Sequence, residues 1–319
     1  AVQSLWFQHL LLHIESPSVA YSPGRIDQML WPYLKADLES GIITQEQAWD
    51  ILSCLWLKFR EGDESQNITI GGINSAKEDA VNPLSYWILQ LTEQLHAFQP
   101  SVSVRLNANN DAKFWEASAN LMRQSIGQPS VFADEVIQTS LQRMGIPESD
   151  AINWAIVGCY EAVVQGAEWA RTVACGFQLP HCVLSVLQNQ KTINTWDTFI
   201  NAVLNEINLA IQTACDRANN DEKYLAQFAS SPFQSVLMHG CIENGQDIYS
   251  GGAQYNHSPC WLSGLATGID SLMVIREIIF EKHLLTIQQL CGLLETDFEN
   301  AETERLMLLR VEKFGNNHK

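Results

Sequence analysis

An α/β fold is what this sequence predicts, and two observations carry the prediction. Residues 101–106, Ser-Val-Ser-Val-Arg-Leu, alternate apolar and polar with the period of a strand, while the stretches on either side repeat their apolar residues at three and four. Strand, helix, strand, helix and a final apolar segment then follow one another to Val157, the order of a mainly enclosed sheet with helices packed against it. Of the 319 residues, 46% are hydrophobic, enough to build a sizeable core and to exclude disorder.

The elements read in order as follows. Residues 5–15 are apolar enough for a buried helix, which Pro17, Pro23 and Gly24 end. Ile26, Met29, Leu30, Tyr33, Leu34 and Leu38 share one helical face, and Ser40-Gly41 stops it. Thr44 and Gln47 have the spacing of a capping box for a helix whose stripe is Trp49, Leu52, Leu55, Trp56 and Phe59. Asn82 caps a helix with Pro83 at its first position, running to about His96. After the strand at 101–106, helical spacing returns over 111–126, a short β-branched piece ends at Phe132, a helix covers 134–144, and the apolar run 151–157 leads into Gly158-Cys159. A long helix is expected from Thr195 to about Ala229, a Gly-rich loop over 245–252, and helices over 268–283, 287–294 and 301–314. With no repeat, low-complexity tract or Pro/Ser-rich linker, the chain reads as one continuous unit.

Charge narrows the function classes. Nineteen Lys and Arg against 36 Asp and Glu give a net charge of −17, and such a surface repels phosphate backbones and anionic lipids, so no nucleic-acid or membrane role is expected. No run of 18 uncharged apolar residues occurs, which argues for a soluble chain. Eight cysteines at irregular spacings, with no CxxC pair, fit neither a disulfide scaffold nor a zinc ribbon, and a reducing, cytoplasmic setting is expected. Asn67-Ile68-Thr69 matches a glycosylation sequon, which without a secretory signal reads as chance. The histidines offer no metal-ligand spacing, and His9 and His13 read as core residues, so no metal and no directly bound cofactor are expected.

Hydrolase, phosphate-loop, zincin and dinucleotide signatures are absent. One constellation stands apart: Val157-Gly158-Cys159-Tyr160-Glu161 ends an apolar strand in a glycine and delivers a thiol and a carboxylate two residues apart. In an extended segment such residues point the same way, into one pocket, where a thiol suits covalent or hydrogen-atom chemistry and a carboxylate can act as base. A buried small cysteine beside a surface Glu is the plainer alternative.

The segments WFQHLLLHIES, SPGRIDQMLWPYL, SVSVRLN, FADEVI, IVGCYE and GGAQYN follow one another as in the central part of glycyl radical enzymes. The chain resembles the dehydratase, lyase and decarboxylase branch of that pyruvate formate-lyase-like superfamily; the formate-lyase branch has two adjacent cysteines where this sequence has Cys159-Tyr160. The resemblance implies part of a ten-stranded α/β barrel, helices outside and the cysteine loop inside. It implies that a thiyl radical forms on Cys159, that Glu161 is the base, and that a small-molecule substrate loses a C–O, C–N or C–C bond, decarboxylation included. A glycyl radical, installed by a radical-SAM activating enzyme under anaerobic conditions, is expected from a C-terminal segment whose motif has no counterpart here, and the family's N-terminal helical part is likewise expected to lie outside these residues. The complete enzyme is expected to be a homo-oligomer, and a complementary chain carrying the glycine loop is a further expected partner.

Departures from the pattern bear on the substrate. Where the family's diol dehydratases and choline lyase carry a His-Ser type pair, this chain has Val19 and Ala20; where the dehydratases carry an Asp, it has Val173; and the Pro usual after the Glu is Ala162. A pocket so lined is expected to favour an apolar or aromatic substrate portion. Arg171 is placed to meet a substrate carboxylate, with a surface ion pair as the alternative. The rival reading from another class is a catalytically inactive remnant or scaffold that binds a partner subunit.

Overall fold

The structure is a computed structural model that describes residues 1–16, 20–61, 66–171, 173–189 and 192–316. In chain order its elements are α1 (Val2–Glu15), α2 (Ile26–Glu39), α3 (Gln45–Arg60), β1 (Asn67–Gly71), α4 (Pro83–Leu95), β2 (Ser101–Leu106), α5 (Ala112–Arg123), β3 (Ser130–Ala133), α6 (Asp134–Arg143), α7 (Glu148–Ala151), β4 (Trp154–Val157), β5 (Glu161–Val164) and β6 (Glu168–Ala170). There follow β7 (Cys175–Gln178), α8 (Leu179–Asn189), α9 (Trp196–Phe228), α10 (Pro232–Val236), α11 (Cys241–Asn244), β8 (Tyr255–His257), β9 (Cys260–Ser263), α12 (Leu265–Val274), α13 (Ile287–Glu295) and α14 (Glu302–Leu309). The expected α/β class holds. The described residues group into two compact units, Ala1–Thr172 with Leu225–His257, and Val173–Tyr224 with Ser258–Lys319.

In the first unit β1, β2 and β3 form a parallel sheet in that order, joined by crossovers through α4 and α5. Every residue of β1 is buried, so it lacks the alternation by which β2 is legible; this is why its sequence, Asn-Ile-Thr-Ile-Gly, does not read as a strand. The core under this sheet gathers Ile26, Trp56, Phe59, Ile68, Val102 and Phe114. Each such side chain contributes about 1.5–3 kcal/mol by leaving water. The Thr44–Gln47 capping box forms as the spacing predicts, and Asn82 caps α4, its side chain accepting from the Leu84 amide at 3.0 Å.

Helix α1 forms where expected but is not the buried helix its composition suggests: only His9 is fully buried, and Phe7, Leu10, Leu11 and Ile14, at helical spacing, are exposed. Its polar end is tied down, because Glu15 accepts from Ser231 Oγ and from the Phe233 and Gln234 amides at the start of α10.

Behind the 22–25 loop, Arg25 Nη2 donates to the Gly71 carbonyl at 3.1 Å, and fully buried Asp27 accepts from the Gly71 amide at 2.9 Å and from Ser85 Oγ at 2.7 Å. Burial pushes the Asp27 carboxyl up from its ordinary value, opposed by Arg25 and these hydrogen bonds. In the second unit β7 pairs with β9 in parallel, and Val183, Phe199, Ile275, Ile278 and Leu290 form a separate core between helices.

Candidate active site

Strands β4 and β5 form an antiparallel hairpin in which Val157 faces Glu161, so Gly158, Cys159 and Tyr160 are its turn. Gly158 takes φ +63°, a region that costs an L side chain about 1–2 kcal/mol, and the chain reverses there. The sequence argument placed Cys159 and Glu161 on one face of an extended segment. In the structure their proximity has a different origin: Cys159 sits in the turn, and Glu161 is the first residue of the returning strand.

The three amides of the turn and the Gly158 carbonyl are all hydrogen-bonded. The Gly158 amide donates to Ser22 Oγ at 3.1 Å and its carbonyl accepts from Asn67 Nδ2 at 3.2 Å. Ser22 Oγ also accepts from the Asn67 amide at 3.1 Å, joining the 22–25 loop, β1 and the turn at one hydroxyl. Glu161 Oε2 accepts from both the Cys159 amide at 3.2 Å and the Tyr160 amide at 3.1 Å. The Cys159 side chain is exposed at the tip while Glu161 is buried, so the carboxylate holds the thiol-bearing turn from beneath.

The hairpin is anchored from behind. Thr69 Oγ1 accepts from the Ile156 amide at 2.9 Å. Buried Arg105 donates to the Trp154 and Ile152 carbonyls, both at 2.9 Å, and pairs with buried Asp134 at 2.8 Å, while Trp154 Nε1 donates to the same carboxylate at 2.7 Å. Burial lowers the Arg105 pKa to about 9, with the Arg25 charge acting in the same direction and Asp134 opposing.

Beside the hairpin lies a cavity of about 190 Å³ whose lining includes Ala20, Tyr21, Ser22, Ala155, Val157, Val163 and Glu168; Cys159 and Glu161 are not part of that lining. Ala155 pairs with Val163 and Val157 with Glu161, so these four side chains share one face of the hairpin. Glu168, at the other end of the space, has a side chain only 2% exposed; one oxygen accepts from the Val164 amide at 2.8 Å and the other meets His257 Nδ1 at 2.8 Å.

Of the remaining expected site residues, Val19 lies outside the described residues. Ala20 is buried and lines the cavity. Arg171 is partly buried and directly follows β6. Val173 belongs to the second unit, with φ +59° and an exposed side chain. Sequence reasoning missed Ser22, Asn67 and Thr69, whose polar side chains inside an apolar stretch were the available signal, and it gave Glu168 no histidine partner. Among the described residues no group of three His, Cys, Asp or Glu is arranged to hold a metal ion, and no helix is long and apolar enough to cross a membrane.

The probable dehydratase YbiW of Escherichia coli is 30% identical to this chain over 99% of it and 44% of that protein's length. The trans-4-hydroxy-L-proline dehydratase of Clostridioides difficile is 27% identical, again over 99% of this chain and 44% of the relative. The chain thus spans less than half the length of the relatives it matches. In three dimensions it is similar to the glycerol-bound B12-independent glycerol dehydratase from Clostridium butyricum, with a TM-score of 0.92 at 29% identity over 99% of this chain and 44% of that one. The pyruvate formate lyase-like family matches over residues 1–319. With the cysteine hairpin in the fold of these enzymes, the chain belongs to the pyruvate formate lyase-like family, the glycyl radical enzymes.

Proposed function

We propose that this chain carries the thiyl-radical part of the active site of a glycyl radical lyase, with Cys159 as the hydrogen-transfer residue and Glu161 as the base. The observation that carries this reading is the turn: an exposed thiol on a backbone whose amides are gathered by the carboxylate two residues on. A glycine radical, borne by a family segment outside these residues and installed by a radical-SAM activating enzyme, supplies the unpaired electron. Cys159 Sγ, having given up its hydrogen atom, takes one from a substrate carbon. Glu161 Oε2 is held by two amides, which leaves Oε1 to accept the proton of a neighbouring hydroxyl or acid group as the adjacent C–O, C–N or C–C bond breaks. Cys159 then returns its hydrogen atom to the product radical, becomes a thiyl radical again and recovers a hydrogen atom from the glycine, while the proton taken by Glu161 passes to the leaving group or product. The hydrogen-bonded amides of the turn hold sulfur and carboxylate in place before substrate arrives.

The cavity walls support a substrate with an apolar portion. Ala20, Val157 and Val163 offer no partner to a hydroxyl, and burying one unpaired against them costs about 1–3 kcal/mol, while Tyr21, Ser22, Gln165 and Gln234 are polar residues of the same lining; glycerol, propanediol and choline are expected to be poor substrates where their hydroxyls meet the apolar wall. The test supplies the chain anaerobically with the family's glycine-bearing segment, an activating enzyme, S-adenosylmethionine and reductant. Cys159→Ser should keep a glycine-centred doublet in the electron paramagnetic resonance spectrum yet lose turnover, and Glu161→Gln should keep the doublet with turnover reduced more than 100-fold. Turnover surviving in Cys159→Ser ends the assignment; a doublet without turnover of any lyase substrate favours the scaffold reading.

A further inference from the structure

We infer that Cys175 and Cys260 form a dithiol site that small disulfides oxidise reversibly, closing a covalent bond between β7 and β9. The inference lies outside the radical chemistry proposed above and needs no part of it. In the parallel register of these strands Cys175 is the partner of Cys260, and Gly176 of Trp261. Paired residues of neighbouring strands share a face and lie about 4.8 Å apart, inside the range of roughly 4.4–6.8 Å between the α carbons of a disulfide. The next rung shows how close the two strands run: a β carbon on Gly176 would stand 2.9 Å from that of Trp261. The Cys175 thiol itself leans toward β9, donating to the carbonyl of Pro259, the residue before Cys260, at 3.8 Å. Among the described residues this is the one rung of any strand pair that sets two cysteines side by side.

Exposure sets the order of the chemistry. Cys260 is exposed and Cys175 half-buried, both as thiols. The Cys260 thiolate, its proton lost to water, therefore attacks one sulfur of a small disulfide such as oxidised glutathione, and one glutathione thiolate leaves. The Cys175 thiolate then attacks the Cys260 sulfur of that mixed disulfide; the mixed bond breaks, the second glutathione thiolate departs and the protein disulfide forms. Two protein thiols have lost two electrons and two protons, and one glutathione disulfide has become two thiols. Metal capture suits the pair less well, because among the described residues no third His, Cys, Asp or Glu joins it to make a metal set. Each strand starts just after the chain passes into the second unit, at Val173 and at Ser258, so the bond ties together the two segments from which that unit is built.

The test incubates the full chain, reduced and then stripped of reductant, with oxidised and reduced glutathione in varied ratio at pH 8 without denaturant. Acid stops the exchange, and mass spectrometry of non-reduced peptides maps the disulfides. The Cys175–Cys260 link should form within one chain, reverse with dithiothreitol, and reach half-conversion at about tenfold less oxidised glutathione than the glutathione adduct of exposed Cys54. Cys175→Ser should leave Cys260 arrested as its glutathione adduct. Phenylarsine oxide, a trivalent arsenical that bridges two neighbouring thiols, should bind the original chain and lose at least tenfold in affinity in Cys175→Ser and in Cys260→Ser. Cys260 held as a glutathione adduct while Cys175 is present, a link from Cys260 to another copy of the chain, or a Cys175–Cys260 link that needs as much oxidant as the Cys54 adduct overturns the inference. Each of these three outcomes is read on the original chain, so the test stays decisive if a variant does not fold.

Discussion

Lowering the pH from 7.5 to 5 should weaken the fold by about 2 kcal/mol through a single imidazole, that of His9. This side chain is 7% exposed, stacked on Trp6 at 5.5 Å, edge-on to Phe59 at 5.1 Å and tilted on His13 at 4.3 Å, with Gln66 Nε2 3.4 Å from its Nε2. Burial lowers its pKa from 6.5 to about 4, and the neighbouring His13 acts in the same direction. The unfolded chain therefore binds a proton near pH 6.5 that the folded chain refuses until about pH 4, so stability is fully present above the first value and falls as pH drops toward the second. At about 1.4 kcal/mol per tenfold difference in proton affinity, roughly 2 kcal/mol is lost by pH 5 and about 3 kcal/mol below pH 4. Urea titrations of the chain and of His9→Gln at pH 7.5, 6 and 5 isolate this contribution from the titrating carboxylates. The original chain should lose about 2 kcal/mol more than the variant over that range. Parallel losses, within about 0.5 kcal/mol, would refute the docking of α1 through a buried neutral histidine.

Three further perturbations probe the frame of the site. Asp134→Ala strands Arg105 and removes the acceptor of Trp154 Nε1, and should cost about 3–5 kcal/mol in urea unfolding, with Asp134→Asn costing less. Asn67→Ala leaves the Gly158 carbonyl without its side-chain donor and should destabilise by about 1–3 kcal/mol while speeding alkylation of Cys159 and amide exchange across 158–160; unchanged alkylation would mean that the turn is not held from β1. Gly252→Ala places a Cβ 2.1 Å from the Gln246 carbonyl oxygen, where only backbone can yield, and should lower the unfolding midpoint by an amount worth about 1–3 kcal/mol or more.

Local signals were legible and long-range ones were not. The Thr44–Gln47 box, the Asn82 cap and the strand at Ser101–Leu106 could be read because a cap lies within three residues of what it caps and a half-buried strand alternates. The fully enclosed strand β1 has no alternation to read, and Asn67 and Thr69 passed for a chance sequon although they fasten the hairpin. Helix α1 shows the converse failure: its apolar composition predicted burial on all sides, and the structure buries mainly the Trp6, His9 and His13 side, leaving Phe7 and Ile14 exposed.

By itself, then, the sequence determined several helices with their caps, the α/β order, the acidic composition and the Cys159, Glu161 pair with its family, while it missed α8 (Leu179–Asn189) and ran the last helix past Leu309. The tertiary structure alone decided that Gly158, Cys159 and Tyr160 make a turn, that Ser22 and Asn67 hold it, and that Glu168 meets His257 across 89 residues of chain. Helical periodicity and capping act over one or two turns of chain and so leave a mark in neighbouring letters. A hydrogen bond between distant residues depends on which surfaces the packed core brings together, and no local pattern records that choice.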